Sequence, residues 1–351
     1  MSRIERIDLK RVRKPLRITF STAAGKKDHM ESLIIRVLLD TKEEGLGESP
    51  TSRAFPLETL EVMEDVIRKV IPLFIGKEIR ESLPFLAKLR RDFPRHVLSF
   101  SGFEVALFRA YLSLCHLSEF SFWGGKSRIL ETDITIPNVD LQKAKKWALK
   151  FLKKRFRFFK IKLIGDIERD IDFLRAISET LSRKGEGDHL LRLDMNESYN
   201  ARDFLVFLEK LSKFRIPVQF VEQPLRRDDY NGLREIVKES RIEIVLDESV
   251  KTAEDLDRIG STGFRGGVNM KIAKSGLMES KRIYDMARKN RLKLMIGCMT
   301  ETILGLSTAI FLALGLGDFE YVDLDGIHFL SWKKPFSEID LSGPYYIYSG
   351  S

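Results

Sequence analysis

Cysteine and histidine are both scarce in this chain of 351 residues, which has two cysteines and five histidines. Cys115 and Cys298 cannot form a disulfide framework or a cysteine metal site, and we expect Cys115 to fill a helix core. The histidines share no spacing that would indicate a metal site: His29, His96, His116, His189 and His328. Low cysteine usage is typical of a reducing compartment, so the expected localisation is cytoplasmic.

Long apolar runs are also missing. None approaches the roughly 18 residues that span a bilayer, and residues 1–5 contain no apolar signal region, so we expect no membrane partner. The net charge is +9, but acids and bases alternate along the chain. The densest basic run, residues 143–157, carries an apolar stripe at Ala148, Phe151 and Leu152. It therefore predicts a solvated helix face, and we expect no nucleic-acid partner.

The length suits one barrel of about 200 to 250 residues plus an accessory domain. Residues 4–49 have the alternation of strands, and residues 57–117 have helical periodicity, which together predict an α+β domain. We place this domain at residues 1–125, with residues 335–351 returning to it. The barrel is predicted at residues 126–334.

Seven apolar stretches in the predicted barrel end in residues suited to a site. The steps between them are 24 to 32 residues, enough for one strand, one helix and two loops, which predicts a (β/α) barrel. Active sites of such barrels gather at the C-terminal ends of the strands. These residues should therefore converge: Lys160 and Lys162, Asp194, Glu222, Asp247, Lys271, Gly297, and Asp323 with Asp325.

Three of the convergent residues are carboxylates on consecutive strand ends, namely Asp194, Glu222 and Asp247. Hard divalent cations such as Mg²⁺ prefer oxygen ligands of this kind. Any one of these acids alone is more often a helix cap or a surface residue. Because all three close apolar runs in register, the pattern favours a Mg²⁺ site.

Lys162 and Lys271 are predicted on opposite sides of the barrel, about four strands apart. A neighbouring cation lowers the pKa of a lysine, and Lys160 supplies one beside Lys162. Mg²⁺ on a substrate carboxylate would stabilise the enediolate that forms when the α-proton leaves. Two bases on opposite faces of one carbon predict racemisation or epimerisation.

With these residues identified, the chain resembles the enolase superfamily, and within it the muconate lactonizing enzyme subgroup. The matching motifs are Lys160-Ile161-Lys162, Asp194-Met195-Asn196, Val221-Glu222-Gln223-Pro224, Asp247-Glu248-Ser249 and Asn269-Met270-Lys271. The resemblance implies a modified (β/α)7β barrel with an N-terminal capping domain. It also implies Mg²⁺ on the three acids, Lys162 and Lys271 as bases, and supporting roles for Lys160, Asn196 and Glu248.

The chain is most similar to the dipeptide epimerases of that subgroup, on the strength of Asp323-Leu324-Asp325 and the segment 295–302. In those enzymes a D-x-D pair holds the free α-ammonium of the substrate, a task that suits two carboxylates. The resemblance therefore implies that Asp323 and Asp325 bind substrate. Cys298, in the second segment, is a further candidate for substrate binding.

The residues of the predicted capping loops do not decide which substrate side chain the enzyme prefers. Epimerases that prefer glutamate resemble one another in an arginine after the first strand, where this chain has Gly25 followed by Lys26 and Lys27. Lysine binds anions without the bidentate geometry of arginine. In the second loop, Arg53 suits an acidic side chain and Phe55 suits an apolar one.

The leading prediction is a Mg²⁺-dependent epimerase that inverts the α-carbon of the C-terminal residue of a dipeptide and acts as a homo-oligomer. The alternatives within the subgroup are an o-succinylbenzoate synthase and an N-acylamino acid racemase, whose substrates have no free α-ammonium. A non-catalytic basic binding protein on the same barrel is the alternative from another class.

Overall fold

The computed structural model describes residues 2–22, 25–183, 189–331 and 338–350, and it gives no side-chain positions for residues 20–22, 25 and 26. Its first part is an antiparallel sheet in the order β1-β2-β3. The bounds of the three strands are β1 Ile4–Thr22, β2 Gly25–Leu39 and β3 Glu44–Pro50. Strands β1 and β2 pair from Ile4 with Leu39 as far as Thr22 with Gly25, so they extend into the polar stretch where the sequence predicts a loop.

The helices that follow are α1 Leu60–Val70, α2 Ile79–Leu89, α3 Val97–Leu114 and α4 Glu119–Phe122. Helices α1 and α3 pack against this sheet, α2 packs against α3, and α4 packs against the last barrel helix. Helix α3 lies so close to β3 that a Cβ on Gly47 would stand 1.9 Å from the carbonyl oxygen of Gly102. Only glycine permits that approach. Helix α3 is long and apolar enough to cross a bilayer, but 78% of it is buried inside the protein. Cys115 follows this helix and is exposed, so the prediction that it fills a helix core is wrong.

A short strand, β4 (Ile129–Glu131), follows α4 and precedes a sheet of eight parallel strands whose spatial order is their order along the chain. Their bounds are β5 Ile134–Ile136, β6 Phe158–Lys162, β7 Leu190–Asp194, β8 Val218–Glu222, β9 Glu243–Leu246, β10 Gly267–Met270, β11 Lys293–Gly297 and β12 Tyr321–Asp323. The C-terminal strand ends carry the polar residues that the sequence spacing predicts.

Six of the eight helices that connect the barrel strands begin at side-chain caps, which explains where they start. The carboxylates of Asp140 and Asp166 cap the helices after β5 and β6, and Thr252 is the N-cap of the helix after β9. The helix bounds are α5 Leu141–Leu152, α6 Ile167–Ser182, α7 Ala201–Ser212, α8 Tyr230–Glu239, α9 Ala253–Gly260, α10 Ile272–Ser275, α11 Leu277–Lys289 and α12 Ile303–Leu316.

Seven strand-to-strand crossovers that contain helices, between eight strands, confirm the predicted (β/α)7β barrel with an N-terminal α+β part. The first and last barrel strands meet through isolated contacts. The backbone N–H at residue 133 donates to the Val322 carbonyl at 3.2 Å, and the N–H of Leu324 donates to the Thr132 hydroxyl at 2.8 Å. We call this junction between β5 and β12 the barrel seam.

The chain ends in two strands, β13 (Ile339–Ser342) and β14 (Tyr345–Tyr348), which form a sheet with β4 in the order β13-β14-β4. The ring of Tyr348 stacks on Phe120 of α4, with 4.0 Å between the ring centroids. The predicted domain boundary, at residues 125 and 126, lies between α4 and β4.

Two buried glutamates of the N-terminal part accept hydrogen bonds from the first turns of barrel helices. Glu48 on β3 accepts the backbone N–H of Thr302, the N-cap of α12, at 2.9 Å. Glu104 on α3 accepts the N–H of Leu277 at the start of α11 at 2.8 Å. Since helix N-termini favour negative charge, these contacts fix the N-terminal part over the C-terminal end of the barrel.

Candidate active site

Asp194, Glu222 and Asp247 lie at the ends of three adjacent barrel strands, and we call them the strand-end group. Asp194 and Glu222 are register partners on β7 and β8, and Asp247 directly follows β9. The exposed fractions of the three residues are 0%, 0% and 4%. Parallel strand ends therefore bring these three buried carboxylates together, as the sequence spacing predicts.

Lysines of β6 and β10 contact this group. The ammonium nitrogen of Lys160 lies 2.7 Å from Glu222 Oε2 and 3.0 Å from Asp194 Oδ2. Lys162 Nζ is 2.5 Å from Asp194 Oδ2, and Lys271 Nζ is 2.5 Å from Asp247 Oδ2. The structure thus brings the three predicted lysines to the three predicted metal ligands.

A fourth lysine, which the sequence analysis missed, also reaches this group. Lys274 in α10 is buried, and its ammonium nitrogen lies 2.5 Å from Asp247 Oδ1 and 2.9 Å from the Asn269 carbonyl. Its position three residues after Lys271, at the next turn of a short helix, is the signal that could have revealed it.

The charges of the strand-end carboxylates and their lysines strongly shift one another's pKa values. Burial lowers the pKa of Lys160, but Asp194, Asp323 and Glu222 together outweigh burial and hold that pKa well above its ordinary value. Burial likewise opposes the shift at Asp194, where Lys160 and Lys162 nevertheless lower the carboxyl pKa to about 2. Burial, followed by the charge of Asp194, raises the pKa of Glu222 to about 7.

The predicted supporting residues connect the lysines to the strand ends. Asn196 accepts a hydrogen bond from Lys162 Nζ at 3.1 Å and donates to Glu248 Oε1, also at 3.1 Å. Its φ of 40° is in the left-handed region, which asparagine tolerates better than most residues. Burial and the charge of Asp247 raise the pKa of Glu248 to about 8.

The strand-end group fits a hard divalent cation. Its ligand atoms are all carboxylate oxygens, and all three residues are buried. Asp194, Glu222 and Asp247 are the residues that would hold Mg²⁺. The most compact carboxylate set in the described chain lies elsewhere, at the barrel seam.

Asp133, Asp323 and Asp325 form this second set, which we call the seam group. One carboxylate oxygen from each lies within 4.8 Å of the other two. Asp323 and Asp325 are the predicted D-x-D pair, and Asp323 Oδ2 lies 2.6 Å from Lys160 Nζ. The sequence analysis missed Asp133, which stands before its strand while the other candidates stand at or after strand ends.

Asp323 and Asp325 of the seam group line a cavity of about 290 Å³ between the barrel and residues 51–54, and the strand-end carboxylates are not among its lining residues. The predicted site residues that line it are Lys27, Arg53, Lys160, Lys162, Asn196, Glu248, Lys271, Cys298, Asp323 and Asp325. The three strand-end carboxylates lie beneath their lysines. The side chain of Lys26 lies outside the described residues, so the structure does not place it.

Lys27 links the two capping loops. Its ammonium group donates to the Thr51 carbonyl at 2.9 Å and lies 3.3 Å from the Thr51 hydroxyl. Burial, opposed by Glu31 and assisted by Arg53, lowers the pKa of Lys27 to about 8. Lys27 and Arg53 therefore present positive charge to the cavity.

Other lining residues were not named as candidates in the sequence analysis because no periodic signal marks them. Arg227, after β8, contacts the cavity and pairs with Glu197, with Nε to Oε1 at 2.9 Å. Met299 and Phe329 add apolar surface next to Cys298. Burial, followed by Asp323 and Asp325, raises the pKa of the Cys298 thiol well above its ordinary value.

Comparisons with known proteins agree with this geometry. The sequence model of the Enolase C-terminal domain-like family matches residues 143–342. The chain is 30% identical to the L-Ala-D/L-amino acid epimerase of Populus trichocarpa, over 98% of this chain and 82% of that protein.

Two solved structures share the whole architecture. The substrate-liganded L-Ala-D/L-Glu epimerase of Bacillus subtilis superposes with a TM-score of 0.92, at 26% identity over 99% of this chain and 96% of that chain. The dipeptide epimerase of Enterococcus faecalis, complexed with Mg and L-Leu-L-Tyr, has a TM-score of 0.88, at 25% identity over 99% and 97%.

Proposed function

This chain belongs to the Enolase C-terminal domain-like family, and from that premise we propose that it is a Mg²⁺-dependent dipeptide epimerase. One observation carries the proposal. Lys162 on β6 and Lys271 directly after β10, four strands apart in a barrel of eight, line one cavity together with Asp323 and Asp325. Two bases and an ammonium-binding pair around one small cavity suit the inversion of an α-carbon next to a free N-terminal residue.

Lys162 and Lys271 act at their Nζ atoms. One lysine, in its neutral form, takes the α-proton of the C-terminal residue, and the other, as an ammonium, delivers a proton to the opposite face. Asn196 accepts a hydrogen bond from Lys162 and so orients it. Because each lysine can serve as acid or base, the reaction runs in both directions.

Asp194, Glu222 and Asp247 hold the metal in this proposal. When bound, Mg²⁺ supplies positive charge that stabilises the negative charge developing on the substrate carboxylate. Lys160, buried between Asp194, Glu222 and Asp323, fixes the relative positions of the metal ligands and the ammonium-binding pair.

Asp323 and Asp325 bind the N-terminal ammonium, and Cys298 and Phe329 lie beside the same part of the cavity. Lys27, Arg53 and Arg227 line the opposite part. Since these three cations outnumber the two glutamates of the lining, Glu197 and Glu248, we infer a preference for a dipeptide whose C-terminal side chain is acidic, such as Ala-Glu. Lys26 is proposed to assist them.

The test is α-proton exchange in D₂O with Mg²⁺ and a panel of L,L-dipeptides, followed by NMR and by chiral chromatography. The panel holds Ala-Glu, Leu-Tyr and Arg-Lys, together with an N-acetylated amino acid. Exchange at the C-terminal α-carbon with formation of the L,D epimer is expected, fastest for Ala-Glu. Exchange of the N-acetylated amino acid alone would favour the N-acylamino acid racemase, and no exchange at all would favour a binding protein.

Single variants of the two lysines assign the bases. Lys162→Ala and Lys271→Ala should each block deprotonation of one epimer while the other epimer still exchanges its proton without inversion. If either variant epimerises dipeptides at the wild-type rate, the two-base assignment is wrong.

Two further expectations belong to this proposal. We propose a cytoplasmic enzyme, in line with its two unpaired cysteines. We also propose a homo-oligomer, which is supported by exposed apolar side chains such as Leu57, Leu73 and Ile129. Light scattering of the purified protein would measure the mass of the oligomer.

A further inference from the structure

Asp133 lies close to the proposed ammonium-binding pair, although it precedes its strand. The three carboxylates of the seam group lie within 4.8 Å of one another, and their residues are 0%, 5% and 5% exposed in chain order. Asp323 and Asp325 line the cavity, whereas Asp133 is not among the lining residues. Asp133 can therefore act on a ligand through its charge and through the other two carboxylates.

The positive charge around this group is smaller than its negative charge. Arg192 on β7 donates to Asp133 Oδ2 at 2.7 Å, and its cation is also held by the Val322 carbonyl at 2.9 Å. Lys160 contacts Asp323 but is shared with two carboxylates of the strand-end group. Asp325 Oδ2 accepts the neutral backbone N–H of Thr135 at 2.6 Å.

One acceptor of the group is unused. Asp133 Oδ1 is buried and has no hydrogen-bond partner among the residues that the structure describes. Leaving a buried carboxylate oxygen unpaired is costly unless a cation or a proton reaches the group. The seam group thus has room for one more positive charge.

Three buried carboxylates at this distance favour retention of a proton. Burial and the charge of Asp323 raise the pKa of Asp325 to about 7 and the pKa of Asp133 well above its ordinary value. The charged or titratable groups that face Asp133 or Asp325 from neighbouring elements are Lys160, Arg192, Cys298, Asp323 and Tyr346, and Lys162 and Lys271 face Asp323.

We propose that Asp133 is a third carboxylate of the ammonium-binding site, a positioning residue whose charge, anchored by Arg192, strengthens the hold of Asp323 and Asp325 on the N-terminal ammonium of the dipeptide. The inference rests on the proposed function. Below pH 7 the incoming ammonium replaces the proton that the three carboxylates share, and that proton passes to the solvent.

The experiment compares Asp133→Asn with the wild type in the Mg²⁺-loaded enzyme. Because one negative charge is lost, KM for the dipeptide should rise about tenfold with little change in kcat. The inhibition constant of the N-acetylated dipeptide, which has no ammonium, should stay the same. Calorimetry at pH 6.5 in two buffers of different ionisation enthalpy should show fewer protons released on dipeptide binding, because two carboxylates retain a proton less tightly than three.

Two further variants keep the inference falsifiable. Asp133→Glu retains the charge and should restore proton release and most of the affinity, which a purely structural defect would not predict. If Asp133→Asn does not fold, the double variant Asp133→Asn with Arg192→Gln removes the buried ion pair as a unit and leaves no unpaired charge. Because it removes a positive charge together with the negative one, its KM should rise by less than in Asp133→Asn.

Wild-type KM and wild-type proton release in either asparagine variant would overturn the inference. An equal loss of affinity for the dipeptide and its N-acetylated form would overturn it too. The proposed function is tested separately, because it fails only if the wild-type enzyme exchanges no dipeptide α-proton, whatever the Asp133 variants do.

Discussion

The strand-end group and the seam group are both sets of three buried carboxylates, and they differ in what balances their charge. Four lysines contact Asp194, Glu222 and Asp247. Around the seam group, the nearest cations are Arg192 and the shared Lys160. In the strand-end group, a metal ion can replace the flexible lysine ammonium groups that balance the carboxylates. The seam group has fewer cations than carboxylates, so it suits the reversible binding of a substrate cation.

The largest expected effect separates the two groups by their metal dependence. Glu222→Gln should lose Mg²⁺ affinity and reduce α-proton exchange by about a thousandfold or more, because one charged ligand is lost from a site that stabilises developing charge. The readouts are exchange in D₂O and the shift of the unfolding midpoint on addition of Mg²⁺.

The matched control for that variant is Glu243→Gln, at the opposite end of the neighbouring strand β9, where Glu243 pairs with Lys293. It should retain both Mg²⁺ stabilisation and exchange. Equal losses in the two variants would show that the barrel, and not a metal site, had been damaged.

A substitution in the seam group should impair activity toward substrates that carry a free α-ammonium. Asp325→Asn can still accept the Thr135 N–H but lacks the charge, so kcat/KM for dipeptides should fall about a hundredfold. Stabilisation by Mg²⁺ should be unchanged, since the strand-end group is intact. A loss of Mg²⁺ stabilisation in this variant would mean that the two groups form one metal site.

Lys274 offers a smaller test of the charge balance at the strand ends. Lys274→Met leaves Asp247 Oδ1 and the Asn269 carbonyl without their buried donor, which should cost about 1 to 3 kcal/mol of folding stability. Added Mg²⁺ should then raise the unfolding midpoint more than it does in the wild type, because the cation restores the missing charge. An equal rise in both proteins would exclude Lys274 from the metal site.

A pH-dependent effect concerns a buried carboxylate, Glu301, whose neighbours include Glu48. Burial, followed by the charge of Glu48, raises the pKa of Glu301 to about 8. The folded protein therefore binds this proton more tightly than the unfolded chain, and stability should fall as pH rises from about 4.5 to 8, by at most about 1.4 kcal/mol per pH unit. Glu301→Gln should flatten that slope in thermal unfolding, and an unchanged slope would contradict the assignment.

The strand-end group could be predicted because each of its members closes an apolar run. Parallel strands in a barrel point the same way, so their C-terminal ends meet whatever the sequence distance between them. Lys162 and Lys271 follow from the same rule. The loop residues Arg227 and Glu197 carry no such signal, and neither does the exposure of Cys115, which depends on where α3 ends against the sheet.

By itself, the sequence determined the barrel, the order of its strands and the convergence of the strand ends, because these depend on local periodicity and on short connections along the chain. Only the tertiary structure decided the seam. There the stagger between β12 and β5 brings Asp133, at the start of one strand, beside Asp323 and Asp325, at the end of the other. Barrel closure brings together residues about 190 positions apart. Local sequence patterns do not predict which of these residues will interact electrostatically or share a proton.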